Sequence, residues 1–146
     1  MKTPVRWEPY LWEEAHPADH RELASLEQEW KIRLPDDYKR AACSFQGMTP
    51  RPNIFQTPQG EDVFSVLLTA SAHEGMESYS IQEMFKLLRP HVPAGIYPFA
   101  TTPGSEHLCF DYRNSPEQPE IVLVTMDLQI IPVAGSFQEL LEGMKG

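Results

Sequence analysis

Two cysteines, Cys43 and Cys109, are all that the 146 residues contain. Two thiols make no disulfide framework, so the fold must rest on its apolar core. Positive charge is scarce as well: 12 Lys and Arg stand against 21 Asp and Glu, a net charge of −9. No basic run occurs beyond Lys39-Arg40. Nucleic-acid binding draws most of its affinity from cationic side chains on phosphates, so the composition predicts no nucleic-acid partner. The same shortage predicts no affinity for anionic membrane surfaces. No apolar stretch approaches the ~20 residues of a spanning helix. No apolar region follows Met1-Lys2-Thr3-Pro4-Val5-Arg6-Trp7-Glu8. The sequence therefore predicts no secretory signal and a cytoplasmic protein with reduced thiols. Phosphate-binding, dinucleotide-binding, nucleophile-elbow and H-E-x-x-H motifs are missing too.

What is present describes a globular domain. Hydrophobic residues make up 41 % and charged residues 23 %. The length predicts one domain over residues 1–146, large enough to bury about 68–70 % of its unfolded surface without a metal or a disulfide. The 14 prolines are about twice the usual share. Acidity is concentrated late: between residues 99 and 142 one base, Arg113, stands against seven acids. That part is the candidate anionic surface, unless the acidity serves only solubility.

Residues 1–17 hold Trp7, Pro9, Tyr10, Trp12 and Pro17 and read as an irregular segment lying on the domain. Asp19 with Glu22 is a capping-box start, and Leu23, Leu26 and Trp30 give one apolar helical face ending near Ile32. Pro35-Asp36-Asp37 opens a second helix with Tyr38, Ala41, Ala42 and Phe45 inward and Gly47 as its stop. Residues 48–60, with Pro50, Pro52 and Pro58, read as a long loop, 62–70 as a strand, and 71–79 as a loop. Ser80 with Glu83 caps a third helix carrying Ile81, Met84, Phe85 and Leu88. Residues 96–100, 107–112, 121–126 and 129–133 are short, β-branched or aromatic, and separated by turn residues. Close strands without intervening helices favour antiparallel pairing. The segment 121–126 is apolar on both faces and should be central, while Pro98 and Pro132 call for edges or partial pairing. Ser136 with Glu139 caps a closing helix of about nine residues. The predicted class is α+β: a mainly antiparallel sheet of about four to six strands, flanked by N-terminal helices and a C-terminal helix.

Chemistry-bearing side chains are sparse. His16 and His20 are four apart beside acids, a spacing that can hold zinc on a helix. Pro17 interrupts that helix, and an exposed polar helix start accounts for the pair more simply. His107 and Cys109 share one face of a predicted strand, but nothing nearby would orient the imidazole, and a free cysteine is usually a small buried hydrophobe. The residues predict no enzyme, cofactor or metal.

Two separated blocks go further. The first is Leu26-Glu27-x-x-Trp30, then Leu34-Pro35-Asp36-Asp37-Tyr38-Lys39, ending at Gln46-Gly47. The second runs from Tyr97-Pro98-Phe99-Ala100 through Gly104-Ser105 and Leu108-Cys109-Phe110-Asp111 to Val133-Ala134-Gly135-Ser136-Phe137-x-Glu139-Leu140-Leu141. In order and spacing this resembles the SUKH superfamily, in the branch related to the yeast cell-wall-synthesis regulator. Two departures are Gln46 where that pattern has Asn before Gly47, and Ser105 where it has Asn after Gly104. Both are turn positions at which Gly47 and Gly104 are expected to supply backbone freedom.

The resemblance implies a compact SUKH-like α+β domain. It also implies a non-enzymatic immunity protein that neutralises a toxin, often a nuclease, passed between competing bacteria. It makes Leu34, Pro35, Tyr38, Gly47, Ala100, Gly104, Ala134, Ser136 and Phe137 structural residues that place helices, caps and turns. An acidic protein can cover a basic cleft, with charge complementarity speeding encounter. The partner expected on these grounds is a basic protein toxin domain, contacted by Glu106, Asp111, Glu117, Glu120 and Asp127. Ordinary solvated turns account for each acid taken singly. A second reading is an intracellular scaffold or regulator docking through residues 48–60 and the aromatic N-terminus. A third is a small hydrolase or metal enzyme built on His107 and Cys109, or on His16 and His20.

Overall fold

The computed structural model describes residues 5–14, 16–71 and 73–146. Asp19 starts helix α1, His20–Trp30, with both halves of the predicted box. Its carboxylate accepts from the Arg21 N–H at 2.7 Å, and its own N–H donates to Glu22 Oε1 at 2.8 Å. Leu23 and Leu26 are buried, and the helix stops where Lys31 turns left-handed at φ +56°. Pro35, at φ −61°, is the cap residue of α2, Asp36–Phe45, whose Tyr38, Ala41 and Ala42 face inward. Helix α3, Ile81–Leu88, begins where Ser80 Oγ accepts from the Glu83 N–H at 3.1 Å.

The first segment corrects the sequence reading. Within 1–17, of which residues 1–4 and 15 lie outside the described part, Arg6–Pro9 forms strand β1. It pairs antiparallel with β2, Met48–Arg51, placing Trp7 opposite Pro50. Trp7 stacks on Phe45 with ring centroids 5.3 Å apart and meets Phe64 edge-on at 5.8 Å. The expected loop at 48–60 is likewise mostly strand. After β2 come β3, Ile54–Thr57, and β4, Gly60–Val63, which form a tight hairpin around Pro58 and Gln59. Proline suggested a loop here. Yet Pro52 and Pro58 lie between strands, and Pro50 sits in a two-stranded ribbon that tolerates a missing donor. The strand expected at 62–70 is cut in two by Phe64 and Ser65, because β4 pairs with β3 while β5, Val66–Leu67, joins another sheet.

That main sheet is antiparallel in the order β5-β6-β7-β8-β9. Its further strands are β6, Ile96–Thr101; β7, His107–Asp111; β8, Glu120–Val124; and β9, Ile130–Ala134. The β6 register slips between Pro98 and Ala100, and β5 reaches only Ala100 and Thr101, so Pro98 is paired on one side. Pro132 lies on the edge strand β9, beside a second slip. Strand β8 is interior and buried on both faces. Ile121 and Leu123 enter the main core, whereas Val122 and Val124 join Leu88, Ile96 and Cys109 in a smaller cluster behind the sheet.

Ser136 Oγ accepts from the Glu139 N–H at 3.1 Å and starts α4, Phe137–Glu142. This helix is six residues long rather than about nine, because Gly143 ends it. Met144 is still buried, held as Lys145 bridges to Ile54. Tyr38, Phe99, Phe110 and Phe137 form the centre of the core. Tyr38 meets Phe110 edge-on at 5.1 Å and Phe137 at 5.7 Å, and Phe99 stacks on Phe110 at 4.3 Å. Leu34 and Ala100 are buried beside them.

The β6–β7 turn corrects a detail. Gly104 does not adopt a positive φ; Ser105 does, at +64°. Thr102, Pro103 and Gly104 turn the chain, the Ser105 N–H donates to the Thr102 carbonyl at 3.1 Å, and Ser105 takes the left-handed position before β7. An L residue loses about 1–2 kcal/mol there, Asn less than most, and Gly avoids the cost altogether. Ser105→Asn and Ser105→Gly are therefore each expected to raise stability by roughly 0.5–1 kcal/mol in urea unfolding.

Candidate partner-binding site

Antiparallel alternation decides where the five proposed contact acids go. Turns β6–β7 and β8–β9 share one end of the sheet, and turn β7–β8 lies at the other. Those ends are about 14 Å apart along β7, at ~3.4 Å per residue. Glu106 and Asp127 are at the first end; Asp111, Glu117 and Glu120 are at the second. The structure thus brings the five acids together as two groups, not one.

At the first end, Glu106 Oε2 accepts from the Met126 N–H at 3.2 Å, tying the two turns together. Burial first, then the neighbouring Asp62 carboxyl, push the Glu106 pKa above its usual value, with Asp127 adding to the effect. Asp62, read from the sequence as the start of a strand and not as a contact acid, comes from β4. From the β3–β4 turn the Gln59 side chain reaches the same end, where its Nε2 donates to Gln129 Oε1 at 3.4 Å. Three hairpins therefore contribute side chains here. Nearby Glu61 is paired with Lys145.

At the second end, Asp111 is 4 % exposed, and its carboxylate is engaged by Arg113. Arg113 Nε and one terminal nitrogen approach the two carboxylate oxygens at 3.0 and 2.9 Å, and the Arg113 N–H adds a third bond at 3.0 Å. This takes Asp111 out of the exposed surface. Burial alone would raise its pKa, but the Arg113 bonds outweigh it and hold the carboxyl below the usual range. A depressed carboxyl stabilises the fold above its unfolded pKa of ~3.9, and that stability is lost as pH falls through the folded value. Asp111→Asn is therefore expected to lower the melting temperature more at pH 6 than at pH 3. Glu117 and Glu120 are exposed. Glu117 borders a recess of about 410 Å³ with Arg33, Pro35 and Asp36, and Glu120 an open recess of about 640 Å³ with Gln56, Pro58 and Pro132.

The structure gives the histidines and cysteines other partners than the His16–His20 and His107–Cys109 pairs read from the sequence. His16 stacks on Trp12 at 4.1 Å, while His20 Nδ1 lies 3.6 Å from Cys43 Sγ. Among the described residues, no three His, Cys, Asp or Glu are placed to hold a metal. Cys109 is fully buried, and its thiol donates to the His107 carbonyl oxygen at 3.7 Å rather than to the ring. Burial, with Asp111 adding to it, pushes that thiol's pKa well up, which keeps it protonated. Burial lowers the His107 pKa, and its Nε2 sits 3.3 Å from Met84 Sδ. Among the described residues no helix is long and apolar enough to cross a membrane.

Sequence reasoning missed the role of Gln46. It is 2 % exposed; its Nε2 donates to the His16 carbonyl at 2.6 Å and its Oε1 accepts from the Ala70 N–H at 2.8 Å. The residue treated as a turn variant is a buried clamp between the segment before α1 and the exit of β5.

No curated protein matches the chain. The family model SUKH_6, described as SMI1-KNR4 cell-wall, matches residues 20–141. That span runs from the first residue of α1 into α4 and includes every motif quoted above for the resemblance. The chain belongs to the SMI1-KNR4 family of the SUKH superfamily.

Proposed function

We propose that this protein is a cytoplasmic, non-enzymatic immunity protein that binds and neutralises a cognate toxin domain of basic charge. Family membership over residues 20–141 carries the reading, since that family is consistent with an immunity or regulatory role. The net charge of −9 supports a cationic partner. A nuclease fits this best, because its cleft must attract phosphate. Exposed carboxylates at both ends of the sheet would steer the encounter, with no need for a cofactor, metal, nucleic acid or membrane.

The scaffold alternative drew on residues 48–60 and the N-terminus as a docking surface. Much of that surface is turned inward: Thr49, Pro50, Phe55 and Thr57 are buried, and Trp7 packs on Phe45. The immunity reading is tested by co-expressing the chain with the toxin domain encoded beside it. Survival of the host and a complex on a sizing column are expected, and the complex should weaken as salt rises. Cell death with no complex would overturn the reading.

A further inference from the structure

Among the described residues, four large apolar side chains stand out as exposed: Tyr10, Leu87, Met126 and Leu128. Two of them share the β8–β9 turn, where Met126 is 67 % and Leu128 43 % exposed. Turn chemistry does not call for them. The adjacent β6–β7 turn is built alike. In each, a Thr carbonyl accepts from the N–H three residues on, the Thr Oγ1 accepts from the N–H four residues on, and the fourth residue is left-handed. One turn is made with Pro103, Gly104 and Ser105, the other with Met126, Asp127 and Leu128. Leu128 holds φ +65°, a conformation costly for an L residue with a bulky side chain. Neither the core nor the turn accounts for an exposed leucine there.

The surroundings define what would cover them. Asp127 lies between the two apolar side chains in the turn, Glu106 accepts from the Met126 N–H, and Asp62 stands beside Glu106. The three turns, residues 57–60, 102–106 and 125–129, contain no Lys or Arg. Among the described residues no Lys or Arg pairs with Asp62, Glu106 or Asp127, and like charges held this close are relieved by an incoming basic group. An apolar centre with a charged rim is the anatomy of a protein interface, in which methionine is enriched.

We propose that the β8–β9 tip is the docking surface of this protein, with Met126 and Leu128 entering an apolar recess on a basic protein domain whose Lys or Arg side chains meet Asp62, Glu106 and Asp127. This rests on the immunity reading and specifies which end of the sheet makes the contact. The partner's cationic side chains set the encounter rate, and the two apolar anchors set how long the complex lasts.

The test titrates the intact chain with the purified, catalytically silenced toxin domain encoded beside it, by calorimetry. Met126→Ser with Leu128→Gly should weaken binding about tenfold or more. The melting temperature should be kept or raised, because glycine relieves the left-handed turn. Leu87→Ser, on α3, should change affinity less than about twofold. Wild-type affinity in the Met126/Leu128 variant, or loss with Glu117→Lys and Glu120→Lys alone, would overturn the tip while leaving the immunity reading intact. Sedimentation showing a wild-type dimer that the Met126/Leu128 variant dissociates would make the occupant a second copy, and would also overturn the proposal. No binding by the wild-type chain would overturn the immunity reading and this surface with it.

Discussion

Gln46→Ala is expected to lower the unfolding free energy by about 2–4 kcal/mol, most of it from one stranded hydrogen-bond donor. The Ala70 N–H that donates to Gln46 Oε1 belongs to a residue 3 % exposed, so water does not replace the lost acceptor. The other partner, the His16 carbonyl, is on an exposed residue and can be rehydrated, so it adds less. Urea unfolding would show the loss as a lower midpoint with an unchanged slope. Gln46→Glu separates the two halves of the clamp. It keeps an acceptor for Ala70 but sets a carboxylate against the His16 carbonyl at the 2.6 Å now spanned by the amide N–H. Its folded pKa should therefore rise above the unfolded ~4.3. The variant should lie nearest the wild type at pH 4, where the carboxyl is protonated and can donate, and fall away as pH climbs through the raised value. An equal deficit at both ends of that range would mean that the clamp's donor half contributes nothing.

This clamp marks where sequence reading stops. Local signals were legible: Asp19, Ser80 and Ser136 cap helices where their three-residue spacings to Glu22, Glu83 and Glu139 placed them. The four late strands followed from β-branched and aromatic runs, since each is long enough to show its pattern. Strands β1 to β4 are only four residues each, and proline stands within or beside several. Too little pattern survives there to outweigh turn signals. Gln46 was opaque for a different reason: both its partners are remote in sequence, 30 and 24 residues away. The acids show a third kind of limit. Composition located them between residues 99 and 142, but antiparallel alternation sends successive turns to opposite ends, and a neighbouring arginine neutralises Asp111. A charge total carries neither fact. The place of Asp62 beside Glu106 was missed because it arrives from a hairpin that the prolines concealed.

Gly47→Ala is the second substitution expected to cost several kcal/mol, and it acts on the same corner of the molecule. Gly47 holds φ +77°, where an L residue loses about 1–2 kcal/mol. A methyl group built there would lie 2.7 Å from Trp12 Cζ3 and 3.1 Å from Cε3. The indole is not a loose end that can swing aside: it stacks on His16 at 4.1 Å and meets His73 edge-on at 4.9 Å. Displacing it also strains the backbone that passes there, because the Gly47 carbonyl accepts from Leu11 at 3.0 Å and its N–H donates to Leu67 at 2.7 Å. The total is expected at about 2–4 kcal/mol, roughly 4–16 °C in melting temperature at ~2–4 °C per kcal/mol. The two contributions can be divided with Trp12→Ala. Backbone strain is the same whether or not the indole is present, whereas the steric clash vanishes with it. Gly47→Ala should therefore cost about 1–2 kcal/mol in the Trp12→Ala background, leaving a coupling of about 1–2 kcal/mol between the two sites. A coupling near zero would assign the whole requirement for glycine to its φ and make the stacked Trp12 a passenger rather than the wall of this turn.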